Sequence, residues 1–377
     1  MKFTVSAADA RGVVALVKDV VPSKAVTQEA TGILVQARDT GLILTAVGAE
    51  MFITANCPAK VSEEGTFCVN GYVLSDVVSS FTPLDEKKGV GTSDLSFELD
   101  VRSRVVLIKA KTKYGSKTVN HKRKVPLLDA DMFPAIPKFA PDNSFSFPPL
   151  TLKRGVESTY PAVSAGLSDA IGGLHLRVSG GIFTSVGTDT LKLSEYEEAV
   201  PGVQDFSVIV PPRFALKAAK CISTDTSEVT VAVTKNIFWV AVPGVTVGGV
   251  TIRGSYPDYK ALLMPSKMTL VVDRKVLLDN ISNLDYGSFE DNRVTMKLTP
   301  GSLVTATSMA ENESIDVEFA SSFQLSFDLL HLSSVVKNTP GEAIEVGFVA
   351  PDKPATFRGV GEGSIKQVST ILMAMKD

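Results

Sequence analysis

Cysteine, histidine and tryptophan are scarce in this chain of 377 residues, with three, three and one of each. Cys57, Cys68 and Cys221 are odd in number, widely spaced and without a CxxC pair, which excludes a disulfide framework and a structural zinc site. A reducing, cytoplasmic setting is the expectation. His121, His175 and His331 have no second histidine or cysteine at ligand spacing, so metal catalysis and histidine-activated nucleophiles have few candidates. Long apolar runs are also missing. The longest uncharged stretch, 236–252, is broken by Pro243, Gly244, Gly248 and Gly249 and reads as two buried strands around a turn, so no membrane span is expected. Asp9, Arg11, Lys18 and Asp19 interrupt the first twenty residues, so no secretory signal is expected either. Neither charge dominates: 38 Lys+Arg stand against 41 Asp+Glu, a net charge of −3 that leaves room for separated patches.

Familiar chemical motifs are absent as well. Gly359-Val360-Gly361-Glu362-Gly363 lacks the Lys-Ser/Thr of a phosphate loop and reads as a turn. Asp129 and Asp131 lack a second acidic pair, so they read as a solvated loop rather than a two-metal site. No cofactor, no metal and no catalytic residue is expected, and the chain reads as a non-enzyme.

What is present is a repeat. A short apolar strand leading into an amphipathic helix occurs at 3–21, 145–163 and 268–284. An aromatic-led alternating strand, a break and a second helix occur at 67–81, 206–222 and 323–338. The breaks carry Asn70, Pro211-Pro212 and Asp328, with Pro and Asp where helix starts favour them. The spacing is close to one third of the chain, and the intervening segments alternate like strands. Three similar α+β domains follow, each with antiparallel sheet and two helices, at roughly 1–140, 141–265 and 266–377.

Charge is partitioned along the chain. Residues 101–124 hold nine Lys/Arg and no acid, whereas 298–336 hold Glu311, Glu313, Asp316, Glu318 and Asp328 with no Lys or Arg. A basic end facing the acidic end of a second copy would give a closed, head-to-tail homodimer. Lys18, Lys153, Arg154, Arg213, Lys217, Lys220, Arg274, Lys275 and Lys337 recur in the helices of all three repeats, and Lys24 follows the first. Such cations can track phosphates without reading bases.

Five segments then resemble a known family, in order and over the whole chain. They are Met1-Lys2-Phe3-Thr4-Val5, Thr188-Asp189-Thr190-Leu191-Lys192-Leu193 (family form close to T-D-G-H-R-L), Ser207-Val208-Ile209-Val210-Pro211, Tyr256-Pro257-Asp258-Tyr259 (F-P-D-Y) and Met373-Ala374-Met375-Lys376 (M-P-M-R). The family is the bacterial DNA sliding clamp, the beta subunit of DNA polymerase III. The resemblance implies a DNA-clamp fold in which each crescent subunit has sheets outside and helices inside, and two subunits form a ring on duplex DNA. It implies a processivity factor, with polymerase and clamp-loader subunits as partners held through short peptides.

Carried onto this sequence, the resemblance places the peptide pocket at Ile171, Thr188, Thr190, Leu191, Lys192, Leu193, Pro257, Leu262, Met373 and Met375. It matches Lys24 and Arg213 to DNA-contacting positions. It pairs Lys117, Val119, His121 and Arg123 with Leu284, Glu311, Glu313 and Asp316 across the dimer interface. Several positions depart from the family pattern: Ser168-Asp169-Ala170 replaces a loop often carrying Arg and Tyr, Thr190 and Leu191 replace Gly and His, Asp328 and His331 replace Asn and an aromatic, and Asp377 replaces an apolar end. They suggest a divergent member with its own peptide preference, for which a phage origin is open. The alternative is a β-rich assembly protein with the same repeat that does not encircle DNA.

Overall fold

The computed structural model describes the chain except residues 26, 86–89, 138, 140–143, 165–169, 235, 285–291, 309, 364, 366 and 376–377. Ser168, Asp169, Lys376 and Asp377 therefore lie outside the described residues. Six α-helices are described: α1 (Ala7–Lys18), α2 (Gly71–Ser79), α3 (Pro149–Thr159), α4 (Pro212–Cys221), α5 (Arg274–Ser282) and α6 (Leu329–Asn338). Each follows a strand directly, and they pack in the pairs α1 with α2, α3 with α4 and α5 with α6. The threefold pattern of strand and helix is thus present.

The helix starts have local causes. Ser6 caps α1, Asn70 caps α2, Asp273 caps α5 and Asp328 caps α6, each side chain accepting hydrogen bonds from first-turn N–H groups. Pro149 and Pro212 occupy the first turns of α3 and α4, where a missing N–H costs nothing. The helix expected to run to 163 in the 145–163 segment stops earlier. It ends at Thr159 and continues as a 3-10 turn, Tyr160–Ala162, because Pro161 cannot donate to an α-helical ladder.

The contacts group the chain into two compact units, 1–146 with 225–250, and 147–224 with 251–377. These units follow the sheets rather than the sequence repeat. Strand Val245–Val250, expected in the second domain, pairs antiparallel with Met51–Cys57, Gly248 opposite Phe52, which draws 225–250 into the first unit. As expected, 236–252 forms two strands, Ile237–Val242 and Val245–Val250.

In the first unit, Phe3, Phe67 and Phe97 stack between the sheet and the apolar faces of α1 and α2, with Phe3 and Phe97 centroids 4.8 Å apart. Cys57 and Cys68 are free and buried there, and burial pushes their thiols up to about 11 and about 12, so both stay protonated. In the second unit, an eight-stranded antiparallel sheet joins Lys192–Ala199 to Val368–Leu372. A core including Leu277, Leu284, Phe327, Leu332 and Phe357 lies beneath α5 and α6. No described helix is long and apolar enough to cross a membrane.

Candidate functional site

The densest group of expected site residues lies in the second unit, where strand Ile182–Thr188 turns into Lys192–Ala199. Thr188 Oγ1 donates to the Lys192 carbonyl at 2.7 Å and accepts from the Thr190 N–H at 3.1 Å. Asp189 Oδ1 accepts from the N–H groups of Leu191 and Lys192 at 3.0 and 2.8 Å. This bonding holds Thr190 at φ 78°, a left-handed conformation its Cβ disfavours, and Leu191 at the tip is 48% exposed. Met373 N–H donates to the Leu191 carbonyl at 2.9 Å, which sets the 38% exposed Met373 beside Leu191. Met375 N–H donates to the Ser326 carbonyl at 2.8 Å.

Below the turn, Val186, Leu193 and Ile371 form a buried cluster on which Tyr256, Tyr259 and Leu263 pack. The 3-10 turn Lys260–Leu262 presents Leu262, 40% exposed, while Tyr259 donates to Glu195 at 2.7 Å and Lys260 bridges Glu195 and Glu197 at 2.5 and 2.8 Å. Of the ten expected pocket residues, Thr190, Leu191, Pro257, Leu262 and Met373 are exposed, and Ile171, Lys192 and Met375 are half-buried. Thr188 and Leu193 are buried and act as supports.

One expected pocket residue, Lys192, is tied to two side chains outside that set. Lys192 forms an ion pair with Asp189, and its Nζ stands 3.3 Å from His331 Nδ1, which is 3.8 Å from Asp189 Oδ2. Burial would raise the Asp189 carboxyl, but hydrogen bonds from Lys192 and the backbone outweigh it and hold the group below the usual carboxylate range. The sequence signals were the i, i+3 Asp–Lys pair and the departure from the family pattern at His331; that His331, 139 residues on, meets the pair is decided by the fold.

His175, read as a sheet residue, sits on strand Leu174–Ser179, hydrogen-bonded to Ser207 Oγ at 2.9 Å and stacked on Tyr256 at 4.9 Å. Burial, assisted by Arg177, pushes its imidazole down to about 4. Because the folded value lies below the unfolded one, the neutral ring's contribution is full above about 6.5 and is lost as pH falls toward 4. Urea midpoints should therefore fall across that window, and His175→Gln should flatten the fall.

The expected phosphate contacts divide in two. Lys24, Arg154, Arg213, Lys220, Lys275 and Lys337 are exposed. Lys217 is not available: it is 7% exposed, three residues from Phe214 on the buried face of α4, and already engaged. Its assignment as a DNA contact is corrected on that ground. Lys153 is half-buried and donates to the Ile222 carbonyl at the end of α4 at 2.7 Å, and Arg274 Nε donates to the Gly341 carbonyl at 2.8 Å, so both act first as internal ties. Lys153→Ala should cost about 1 kcal/mol in chemical denaturation, since it leaves a helix-end carbonyl without its cation. Arg213→Ala should leave the midpoint unchanged.

At the expected dimer edge, strand Lys117–Leu128 pairs along its length with Val105–Tyr114, but on its other side only Leu127 and Leu128 pair, with Val69 and Cys68. Among the described residues the edge over 117–126 is open, and it carries Lys117, Val119 and Arg123 exposed, with His121 against Phe81 at 6.0 Å. In the second unit Glu313 and Asp316 are exposed and Glu311 pairs with Lys297 at 2.6 Å. Leu284 is corrected: at 0% exposure it belongs to the core, because the end of α5 turns it inward. Among the described residues, no group of three or more His, Cys, Asp or Glu could hold a metal.

Repeated strand–helix units in continuous antiparallel sheets, with paired helices and an exposed apolar patch at a sheet turn, define the class as the DNA-clamp fold. Residues 1–136 match the family model for the DNA polymerase III beta subunit, N-terminal domain. The chain is 22% identical to the beta sliding clamp of Rickettsia bellii and 24% to that of Treponema pallidum, covering 90% and 91% of both chains respectively. It superposes over its full length on the Pseudomonas aeruginosa sliding clamp bound to griselimycin (TM-score 0.86, 21% identity, all of that chain). The Thermotoga maritima beta subunit gives a TM-score of 0.83 at 19% identity, with 99% of that chain covered. The chain is thus similar along most of its length to bacterial beta sliding clamps, and its first 136 residues match the N-terminal domain of the DNA polymerase III beta subunit.

Proposed function

We propose that two copies of this chain close head to tail into a ring around duplex DNA and act as a polymerase processivity factor without chemistry of their own. The observation that supports the reading most is the likeness to curated beta sliding clamps over 90% of the chain, together with the family match over residues 1–136. A clamp works by topology: a polymerase bound to the ring stays at high effective concentration near the primer end and rebinds instead of diffusing away. The three repeats serve as three clamp domains, and the exposed cations Lys24, Arg154, Arg213, Lys220, Lys275 and Lys337 contact phosphates without base readout. The open basic edge at 117–126 pairs with the acidic segment around Glu311, Glu313 and Asp316 of a second copy. Leu191, Leu262, Met373 and Met375 receive short peptides from the polymerase and the clamp loader, flexible methionine suiting several related ligands. The setting is the bacterial cytoplasm, and no cofactor is required.

The test is retention. Protein loaded on nicked circular duplex should remain through gel filtration and be lost once the circle is cut. Equal loss from circle and linear duplex would sink the tethering reading, and a monomer at micromolar concentration would count against the ring.

A further inference from the structure

Of the nine Lys/Arg at 101–124, only Lys117 and Arg123 are assigned to the dimer edge. In an antiparallel pair, residues directly opposite share a face, and alternate residues along a strand return to it. The register sets Lys109 opposite Lys122, Lys111 opposite Asn120, Lys113 opposite Thr118 and Lys124 opposite Leu107. These residues share one face of the sheet. Ile108, Ala110 and Val125, buried against the core with Phe97, point to the other face, the one on which α1 packs. All five lysines are exposed. Lys122 and Lys124 alternate with Lys117, Val119, His121 and Arg123 along the edge strand, and Lys109, Lys111 and Lys113 lie on the neighbouring strand, so none of the five is among the residues assigned to the dimer interface.

We propose that this outer face of the first unit is a second, sequence-independent nucleic-acid contact, in which Lys109, Lys111, Lys113, Lys122 and Lys124 hold the phosphate backbone of a single strand. Lysines two residues apart lie about 7 Å apart along a strand, and like charges placed opposite one another oppose folding. Among the described residues only Lys109 has a carboxylate partner, Glu98 at 2.5 Å. The Glu98 carboxyl is held below its usual range by the Lys109 hydrogen bond and charge, then by Lys2 and Lys122, which marks a positive field across the face. An open cleft of about 570 Å³ runs over Thr4, Ser96, Lys109, Lys111, Asn120 and Lys122.

The chemistry of the face selects a polyanion over a folded protein. Residues interleaved with the lysines are Thr4, Ser96, Thr118 and Asn120, with two carboxylates, Asp94 and the Lys109-paired Glu98, against five lysines, and there is no aromatic anchor of the kind that dominates protein interfaces. Lysine acts as a compact point charge for phosphate, without the planar fork that reads bases or carboxylates. A displaced or template single strand passing outside the protein would meet this face independently of contacts made by the helices.

The experiment uses the full chain and a short fluorescent oligothymidylate, with affinity measured by anisotropy over a salt series. Replacing Lys111, Lys113, Lys122 and Lys124 by Gln should weaken binding at least about tenfold and lower the slope of log K against log salt by about 3, at roughly 0.7 per phosphate contact on a single strand. Lys111→Gln with Lys113→Gln, on the strand away from the edge, should give about half that loss of slope while sedimentation and urea midpoint match the parent. An unchanged slope in both variants would overturn the proposal. So would polyglutamate binding this face as tightly as the oligonucleotide at equal salt, since that outcome makes it a docking surface for an acidic protein segment.

Discussion

Replacing Leu191 and Met373 together by aspartate should weaken binding of a short clamp-binding peptide from the cognate polymerase by at least about a hundredfold, close to 3 kcal/mol. Both side chains are large, apolar and exposed, 48% and 38%, and a backbone hydrogen bond ties them to one spot. Covering an apolar side chain of this size contributes about 1.5–3 kcal/mol, and a carboxylate forced under a ligand adds a desolvation cost. Stability should barely change, because neither side chain is in the core. Calorimetric titration of the double variant, beside a urea curve showing an unchanged midpoint, checks the prediction. Ordinary affinity in the folded variant would remove the pocket from this turn.

Gly187→Ala should be the most damaging single methyl near the site. A Cβ at Gly187 would lie 2.5 Å from the Thr159 carbonyl oxygen and 2.6 Å from Val163 Cγ2, closer than real Cβ atoms come. The oxygen is backbone at the end of α3, so relief requires moving either the helix end or the strand that carries Thr188 and leads into the turn at 189–191. Overpacking of this kind costs typically 1–3 kcal/mol, and a backbone obstacle puts this case near the upper end, about 3 kcal/mol. Thermal or urea unfolding should show the loss, and peptide affinity should fall with it because the strand and its turn shift together. A midpoint within about 0.5 kcal/mol of the parent would contradict the packing described for this strand.

These two cases show what kind of information each level holds. Gly187 reads in the sequence as one more strand residue; only the approach of α3 makes it indispensable. Leu191 and Met373 were singled out by family likeness, yet the hydrogen bond that joins them spans 182 residues.

Much of the fold was legible, for local reasons. The six helices could be placed because apolar spacing of 3.6 and start signals such as Asn70, Pro211-Pro212 and Asp328 are set by neighbouring residues; the caps at Ser6 and Asp273, found in the structure, are equally local. The strand segments and the threefold recurrence followed from alternation, which is equally local. Charge partition was legible too, since a run of nine cations without an acid is a property of the chain itself.

What each cation does was not legible, because a helix or strand has faces that composition alone does not assign. Lys217 turns inward, Lys153 and Arg274 tie helix ends, and Lys111 and Lys122 share a face only through strand register. The grouping of 225–250 with the first 146 residues likewise comes from the pairing of Val245–Val250 with Met51–Cys57. The Asp189–Lys192–His331 cluster is the plainest case. Two members are neighbours in sequence, and the third arrives only when α6 packs near the turn. By itself, the sequence determined the elements, their threefold recurrence and the separation of charge, because those depend on residues a few positions apart. Tertiary structure alone decided which side chains remain free to meet DNA or a partner, because burial and register depend on segments brought together from across the chain.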